Sequence, residues 1–282
     1  MKIITRIKTM QNLTQKLRRE GQRIGFVPTM GYLHDGHGSL LKACRRQNDI
    51  SVLSIFVNPV QFGPQEDLQS YPRDKKNDVL LAKKENVDII FYPSEKVMYP
   101  GRYLTYIHVD EITATLCGAS RPGHFRGVAT VVGKLLNIIQ PHRVYFGQKD
   151  AQQCVVIRQM VQDLNIPVRV CVLPTVREKD GLALSSRNAY LTEKERQEAP
   201  ALYQTLKMAE AEIRRGEQDP RRLTQMMAQF LNSRCPQGNI EYVMCVNAET
   251  LEPVKIIQGT VLLALAVRLG KARLIDNVLL RV

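Results

Sequence analysis

No apolar run in this chain is long enough to cross a membrane. The longest, residues 50–57 and 261–267, fall well short of the roughly 20 residues a spanning helix requires. No apolar signal core follows the first basic residues, and Glu20-Gly21 leads directly into a strand-like run, so the N-terminus reads as part of the fold. Six cysteines, at 44, 117, 154, 171, 235 and 245, lack both C-x-x-C pairing and the density of a secreted disulfide scaffold. Reduced thiols in a cytoplasmic protein are expected. Internal repeats and low-complexity tracts are likewise missing. The formal net charge of +13 would suit nucleic acid if it were gathered in one place. It is dispersed instead: Lys16-Leu17-Arg18-Arg19, Lys83-Lys84 and Arg214-Arg215 sit on segments of helical period, where a solvated face accounts for them. The expectation is no nucleic acid and no membrane, with a basic surface that steers small anions inward.

What is present is ordinary globular material, 44% hydrophobic and 24% charged in 282 residues, enough for one large domain or two moderate ones. Short β-rich runs at 23–29, 50–57, 87–92, 143–146 and 168–173 alternate with helical patterns at 39–47, 75–85, 128–139 and 152–164. This grammar predicts an α/β fold, a Rossmann-like open parallel sheet with helices on both faces. Past residue 176 the pattern changes to two long helices, 193–215 and 220–233, followed by strand-like segments at 240–246, 261–267 and a last one ending at 282. A smaller C-terminal α+β domain is predicted there. The boundary is set near 176, giving domains 1–176 and 177–282, the second placed to close over a ligand as a lid.

The most informative local feature is Val27-Pro28-Thr29-Met30-Gly31-Tyr32-Leu33-His34-Asp35-Gly36-His37, a strand running into a histidine-bearing turn that feeds a helix. Pro28 stops the strand, and Gly31 and Gly36 allow the reversal. A helix start aims its free N–H groups and positive dipole end at an anion, and two imidazoles three residues apart can each donate to phosphoryl oxygens. Surface histidines or a metal pair are the alternatives. The metal reading lacks the Glu of H-E-x-x-H and any third ligand nearby in sequence. A second cluster, Asp180-Gly181-Leu182-Ala183-Leu184-Ser185-Ser186-Arg187-Asn188, gathers two hydroxyls and a guanidinium in consecutive positions. Such a loop can wrap phosphates.

Together these clusters resemble the HIGH and KMSKS-type signatures of the adenylate-forming nucleotidyltransferase superfamily. Three further blocks narrow the resemblance: Ser54-Ile55-Phe56-Val57-Asn58-Pro59-Val60-Gln61-Phe62, Arg121-Pro122-Gly123-His124-Phe125-Arg126-Gly127-Val128, and Tyr145-Phe146-Gly147-Gln148-Lys149-Asp150-Ala151-Gln152-Gln153. In this order and spacing the chain resembles the pantothenate synthetase (pantoate–β-alanine ligase) family, from the first strand to Arg273-Leu274-Ile275-Asp276-Asn277. That resemblance implies ATP-dependent condensation of pantoate with β-alanine through a pantoyl adenylate, releasing AMP and pyrophosphate. It implies Mg²⁺ held mainly by phosphates and water, with no metal site of the protein's own, and a homodimer.

Carried over residue by residue, the resemblance assigns catalysis to His34, His37 and Lys149. It assigns ATP to Met30, Gly31, Tyr32, Leu33, His34, Asp35, Gly36, His37, Gly147, Gln148, Lys149, Asp150, Val176, Leu184, Ser185, Ser186 and Arg187. Within that set Lys149 would be a point charge on phosphate, Asp150 would lie near the ribose, and Val176 would meet the adenine through its backbone. Pantoate falls to Gln61, Gln153 and Met30, β-alanine to Gln61, and a substrate-side role to His124 and Arg126. Two positions depart from the family pattern: Gly38 stands where a larger helix residue is usual, and Ala151 where an aromatic is common.

Overall fold

A computed structural model describes residues 1–64 and 66–282. In chain order the strands and α-helices are β1 (Lys2–Ile4), α1 (Ile7–Arg19), β2 (Ile24–Thr29), α2 (Asp35–Gln47), β3 (Ile50–Ile55), α3 (Lys75–Lys84), β4 (Ile89–Phe91), α4 (Glu95–Met98), α5 (Leu116–Ser120), α6 (His124–Ile139), β5 (Arg143–Gly147), α7 (Ala151–Asp163), β6 (Arg169–Leu173), α8 (Glu193–Glu198), α9 (Ala201–Arg214), α10 (Pro220–Arg234), β7 (Gly238–Asn247), β8 (Thr260–Leu269) and β9 (Ala272–Arg281). By contact the chain forms two compact units. One comprises Met1–Asp110, Arg121–Gly147 and Val156–Pro174, and the other Glu111–Ser120, Gln148–Val155 and Thr175–Val282.

The first unit holds a six-stranded sheet in the order β1-β4-β3-β2-β5-β6, with every pair parallel. Its central strands are apolar runs because parallel strands are covered on both faces. Ile24, Phe26 and Val27 of β2, Val52 and Leu53 of β3 and Ile90 of β4 are fully buried. One of its cores gathers Val27, Leu41, Leu53, Ile90 and Tyr145. The short β1 and the helix α1 were not foreseen as elements. A three-residue edge strand carries no period, and the N-cap Arg6 of α1 makes no side-chain capping bond.

The second unit is built on an antiparallel sheet, β7-β8-β9. The middle strand shows the period of two in full. Val261, Leu263, Leu265, Val267 and Leu269 join a core with Leu202, Leu206, Ala209 and Ile213 of α9 and Leu223, Met227 and Leu231 of α10. The alternate residues Leu262 and Ala264 face a second core with Leu116 and Ala151. The single helix expected over 193–215 is two helices, α8 and α9, broken at Ala199-Pro200. Pro200 has no N–H to donate into the turn before it. The helix expected from residue 39 starts instead at Asp35, which puts His37 inside α2.

Candidate active site

In the first unit β2 lies between β3 and β5, so the sheet's strand order reverses direction at β2. Open α/β sheets bind ligands beyond the carboxyl ends of their strands at such a point. Three of the blocks singled out above lie there: residues 30–37 after β2, residues 58–61 after β3, and Gly147 at the end of β5.

After β2 the chain reverses through Gly31 (φ 85°) and Tyr32 (φ 52°). The strained turn is held by Asp78 of α3, whose carboxylate accepts Leu33 N–H at 2.7 Å and Tyr32 N–H at 3.2 Å. A Cβ at position 31 would come within 2.9 Å of Asp78 Oδ2. Burial pushes the Asp78 carboxyl above the usual carboxylate range, against the pull of its two backbone donors. Sequence reasoning missed Asp78, because nothing within α3 marks one aspartate as the partner of a turn 45 residues earlier.

The two histidines then cap α2 reciprocally. His34 is the N-cap residue and its Nδ1 accepts Gly36 N–H, while His37 Nδ1 accepts His34 N–H, both at 3.2 Å. The rings lie 4.1 Å apart. Since each Nδ1 must be an acceptor, each neutral imidazole carries its proton on Nε2. The capping bonds therefore fix ring orientation and tautomer together. Gly38, on the next turn, has room for a side chain: an added Cβ would meet only Glu85 Oε1, at 3.7 Å.

Beyond β3, Gln61 is 8% exposed on a one-turn 3₁₀ helix, Pro59–Gln61. Its Oε1 accepts from Asn58 Nδ2 at 3.1 Å, so its amide nitrogen points the other way, 3.0 Å from Met30 Sδ. Met30 and Gln61 are thus brought together. Asn58 also donates to Gly127 O at 3.1 Å and accepts from Tyr99 O–H at 2.8 Å. Burial raises the Tyr99 phenol and keeps it a donor. His124, at the start of α6, has Nδ1 2.8 Å from Gln61 O and Nε2 2.9 Å from Arg121, which pairs with both oxygens of Glu66 at 2.7 and 2.6 Å. A carbonyl only accepts and a guanidinium only donates, so this ring carries its proton on Nδ1. Arg126 lies over the Tyr106 ring at 4.1 Å.

In the second unit Gln148, Lys149 and Asp150 form a 3₁₀ turn leading into α7, which carries Gln153. Lys149 Nζ is 3.5 Å from Asp150 Oδ1. Val176 O accepts Leu184 N–H at 3.0 Å, which closes the loop ahead of Ser185, Ser186 and Arg187. Ser185 Oγ accepts Arg187 N–H at 3.2 Å. Lys149, Ser185 and Asn188 line one small cavity with Leu182 and Leu274. Among the described residues, no group of three or more His, Cys, Asp or Glu side chains is placed to hold a metal ion.

Residues 2–279 match the family model for pantoate-beta-alanine ligase. The chain is 54% identical to the pantothenate synthetase of Thermotoga petrophila over 280 residues, covering 99% of this chain and all of that one. Among solved structures it is similar to pantothenate synthetase from Thermus thermophilus, with a TM-score of 0.93, 43% identity and 99% of both chains covered. It is also similar to pantoate-beta-alanine ligase from Francisella tularensis, described as a complex with beta-gamma ATP and beta-alanine. That comparison gives a TM-score of 0.80 and 38% identity over 99% of this chain and 97% of that one.

Proposed function

This chain belongs to the pantoate-beta-alanine ligase family, and from that we infer what its individual residues do. The reaction is the ATP-dependent condensation of pantoate with β-alanine to pantothenate. A carboxylate is a poor acyl donor because oxide is a very poor leaving group. The pantoate carboxylate therefore attacks the α-phosphorus of ATP, expelling pyrophosphate. The amine of β-alanine then attacks the carbonyl of the pantoyl adenylate, and AMP departs with the electron pair of the broken C–O bond. Neither step requires a covalent bond to the protein, so the protein's contribution is positioning and electrostatics.

His34 and His37 carry the reading. Two neutral rings with Nε2–H directed away from their capping bonds, at the start of a 13-residue helix, are donors preorganised for oxygens on which charge builds during attack. The backbone of Met30, Gly31, Tyr32, Leu33, Asp35 and Gly36 shapes the approach of the nucleotide. Lys149 acts as a point charge on phosphate, and Ser185, Ser186 and Arg187 donate hydrogen bonds to the same anion. Gly147, Gln148, Asp150, Val176 and Leu184 complete the nucleotide contacts. The ammonium and guanidinium groups repel a cation, protonated imidazole Nε2 offers it no lone pair, and no cluster of carboxylates stands among the described residues to hold one. That donor set fits Mg²⁺ arriving on ATP with its shell of phosphate oxygens and water.

Gln61 presents its amide N–H₂ to pantoate as a donor. The Met30 sulfur it now faces is a weak acceptor that a substrate oxygen readily replaces. Gln153 adds a second amide, the Met30 side chain offers apolar surface to the carbon skeleton, and Gln61 also meets β-alanine. We extend the reading to a homodimer in the cytoplasm with the second unit as a lid. All six cysteines are free of disulfides, and no helix among the described residues is long and apolar enough to cross a membrane. The test is a burst measurement. ATP, Mg²⁺ and pantoate without β-alanine should release about one pyrophosphate per active site, as expected when binding and activation precede aminolysis. Strict dependence of that burst on β-alanine would overturn the order of steps.

A further inference from the structure

Two adjacent residues of β9, Asp276 and Asn277, are 3% and 5% exposed, and their side chains bond to other segments of the second unit. Asn277 Nδ2 donates to Gln148 O at 3.0 Å and to Lys149 O at 2.9 Å, while its Oδ1 accepts from Gln148 Nε2 at 3.2 Å. One side-chain amide thereby fixes two consecutive peptide planes, those on either side of the Lys149 Cα. Asp276 takes the Arg177 guanidinium in a two-pronged contact at 2.6 and 2.9 Å, and its Oδ1 also accepts Asn277 N–H at 2.8 Å. Arg177 in turn donates to Gly181 O at 3.1 Å and lies 3.8 Å from the centroid of the Tyr203 ring. Gly181 (φ 96°) packs so closely on that ring that an added Cβ would be 2.4 Å from Tyr203 Cδ1. The middle of β9 is therefore pinned by side-chain bonds where it meets the Lys149 turn.

We propose that Asn277 is the positioning residue for Lys149: it sets the backbone from which the ammonium reaches phosphate, without touching substrate itself. The inference rests on the phosphate role proposed for Lys149. A lysine side chain has four rotatable bonds and loses much freedom when held, so its effectiveness depends on how well its Cα is placed. Among the described residues no other side chain restrains both carbonyls. An aliphatic residue at 277 would take this side-chain bond away from both half-buried carbonyls.

The experiment is a double-mutant cycle in the full-length protein with Asn277→Ala, Lys149→Ala and the pair. It measures single-turnover adenylate formation, amide formation from preformed pantoyl adenylate, KM for pantoate, and thermal melting. Asn277→Ala should slow adenylation by about 10–100-fold, leaving KM for pantoate and the second half-reaction as they were. In the Lys149→Ala background it should cause no further slowing, a coupling that a purely structural role would not produce. Should the alanine variant melt below the assay temperature, Asn277→Ser, which keeps a donor for one carbonyl, carries the same cycle. If Lys149→Ala leaves adenylation unchanged, the reading of Lys149 falls and the inference with it. If Lys149→Ala slows adenylation and the double variant slows by the product of the two effects, the inference alone is overturned.

Discussion

Gly127→Ala tests how tightly the end of the site proposed for pantoate is built. Gly127 is on the first turn of α6 where it crosses the Pro59–Gln61 turn, and an added Cβ would lie 2.4 Å from Val60 O, 2.5 Å from Gln61 Cα and 2.7 Å from Gln61 N. Ordinary contact begins near 3.4 Å. These are backbone atoms that cannot swing aside, so helix and turn must separate by about 1 Å, an overpacking that typically costs about 1–3 kcal/mol. At about 2–4 °C per kcal/mol for a protein of this size, the melting temperature should drop measurably. The functional effect should be larger. Gln61 would move with its turn, the Asn58 bond to Gly127 O would stretch, and a displacement of this size can cost about 10²-fold in rate. Steady-state kinetics should show the loss in kcat/KM for pantoate with KM for ATP nearly unchanged. In a Gln61→Ala background the same substitution should reduce stability alone. A fall in melting temperature with pantoate kinetics untouched would refute the claim that Gln61 is the group this turn aims.

Two other substitutions follow from the side proposed for the nucleotide. Gly38→Ala should stabilise α2 by about 0.5–1 kcal/mol, since the position is helical and the nearest atom to a new Cβ is 3.7 Å away; calorimetry should show a raised melting temperature with unchanged turnover. Asp78→Asn should cost about 1–3 kcal/mol at neutral pH, because the amide nitrogen would face a backbone N–H that the carboxylate now accepts. The pH dependence carries a sign. Burial raises the Asp78 pKa on folding, so between its unfolded value and the raised folded value the native state holds more protons. Its contribution to stability is full below the unfolded value and declines as pH rises through the folded one. The gap between wild type and Asp78→Asn in melts from pH 3 upward should narrow accordingly; a gap that widens with pH would reject the assignment.

Much of this was legible in the sequence because the informative signals are short-range. The apolar runs of β2 and β3 and the His34-x-x-His37 turn each lie within a dozen residues, and the βαβ alternation is the succession of such short patterns. Other features depend on partners far away in the chain. The start of α2 at Asp35 depends on the reciprocal capping of His34 and His37, and histidine is not among the usual capping residues. Asp78 and Asn277 are ordinary polar residues whose partners lie 45 and 128 positions away. Arg273-Leu274-Ile275-Asp276-Asn277 marked the end of the family pattern without revealing that its last two residues hold Arg177 and the Lys149 turn. His124 stood in a loop-like block, yet it begins α6 and has its ring between Arg121 and Gln61 O.

The central claim is that the capped histidine pair serves the triphosphate during activation of pantoate. Its most direct test is single-turnover kinetics of the two half-reactions in His37→Ala and His34→Ala, with folding checked by thermal melting. Adenylate formation should slow by about 10²–10³-fold in each variant, the usual cost of removing one preorganised donor from a developing charge. Amide formation from preformed pantoyl adenylate should proceed at nearly the wild-type rate, because the pyrophosphate has left before that step begins. Equal slowing of both half-reactions would contradict the account.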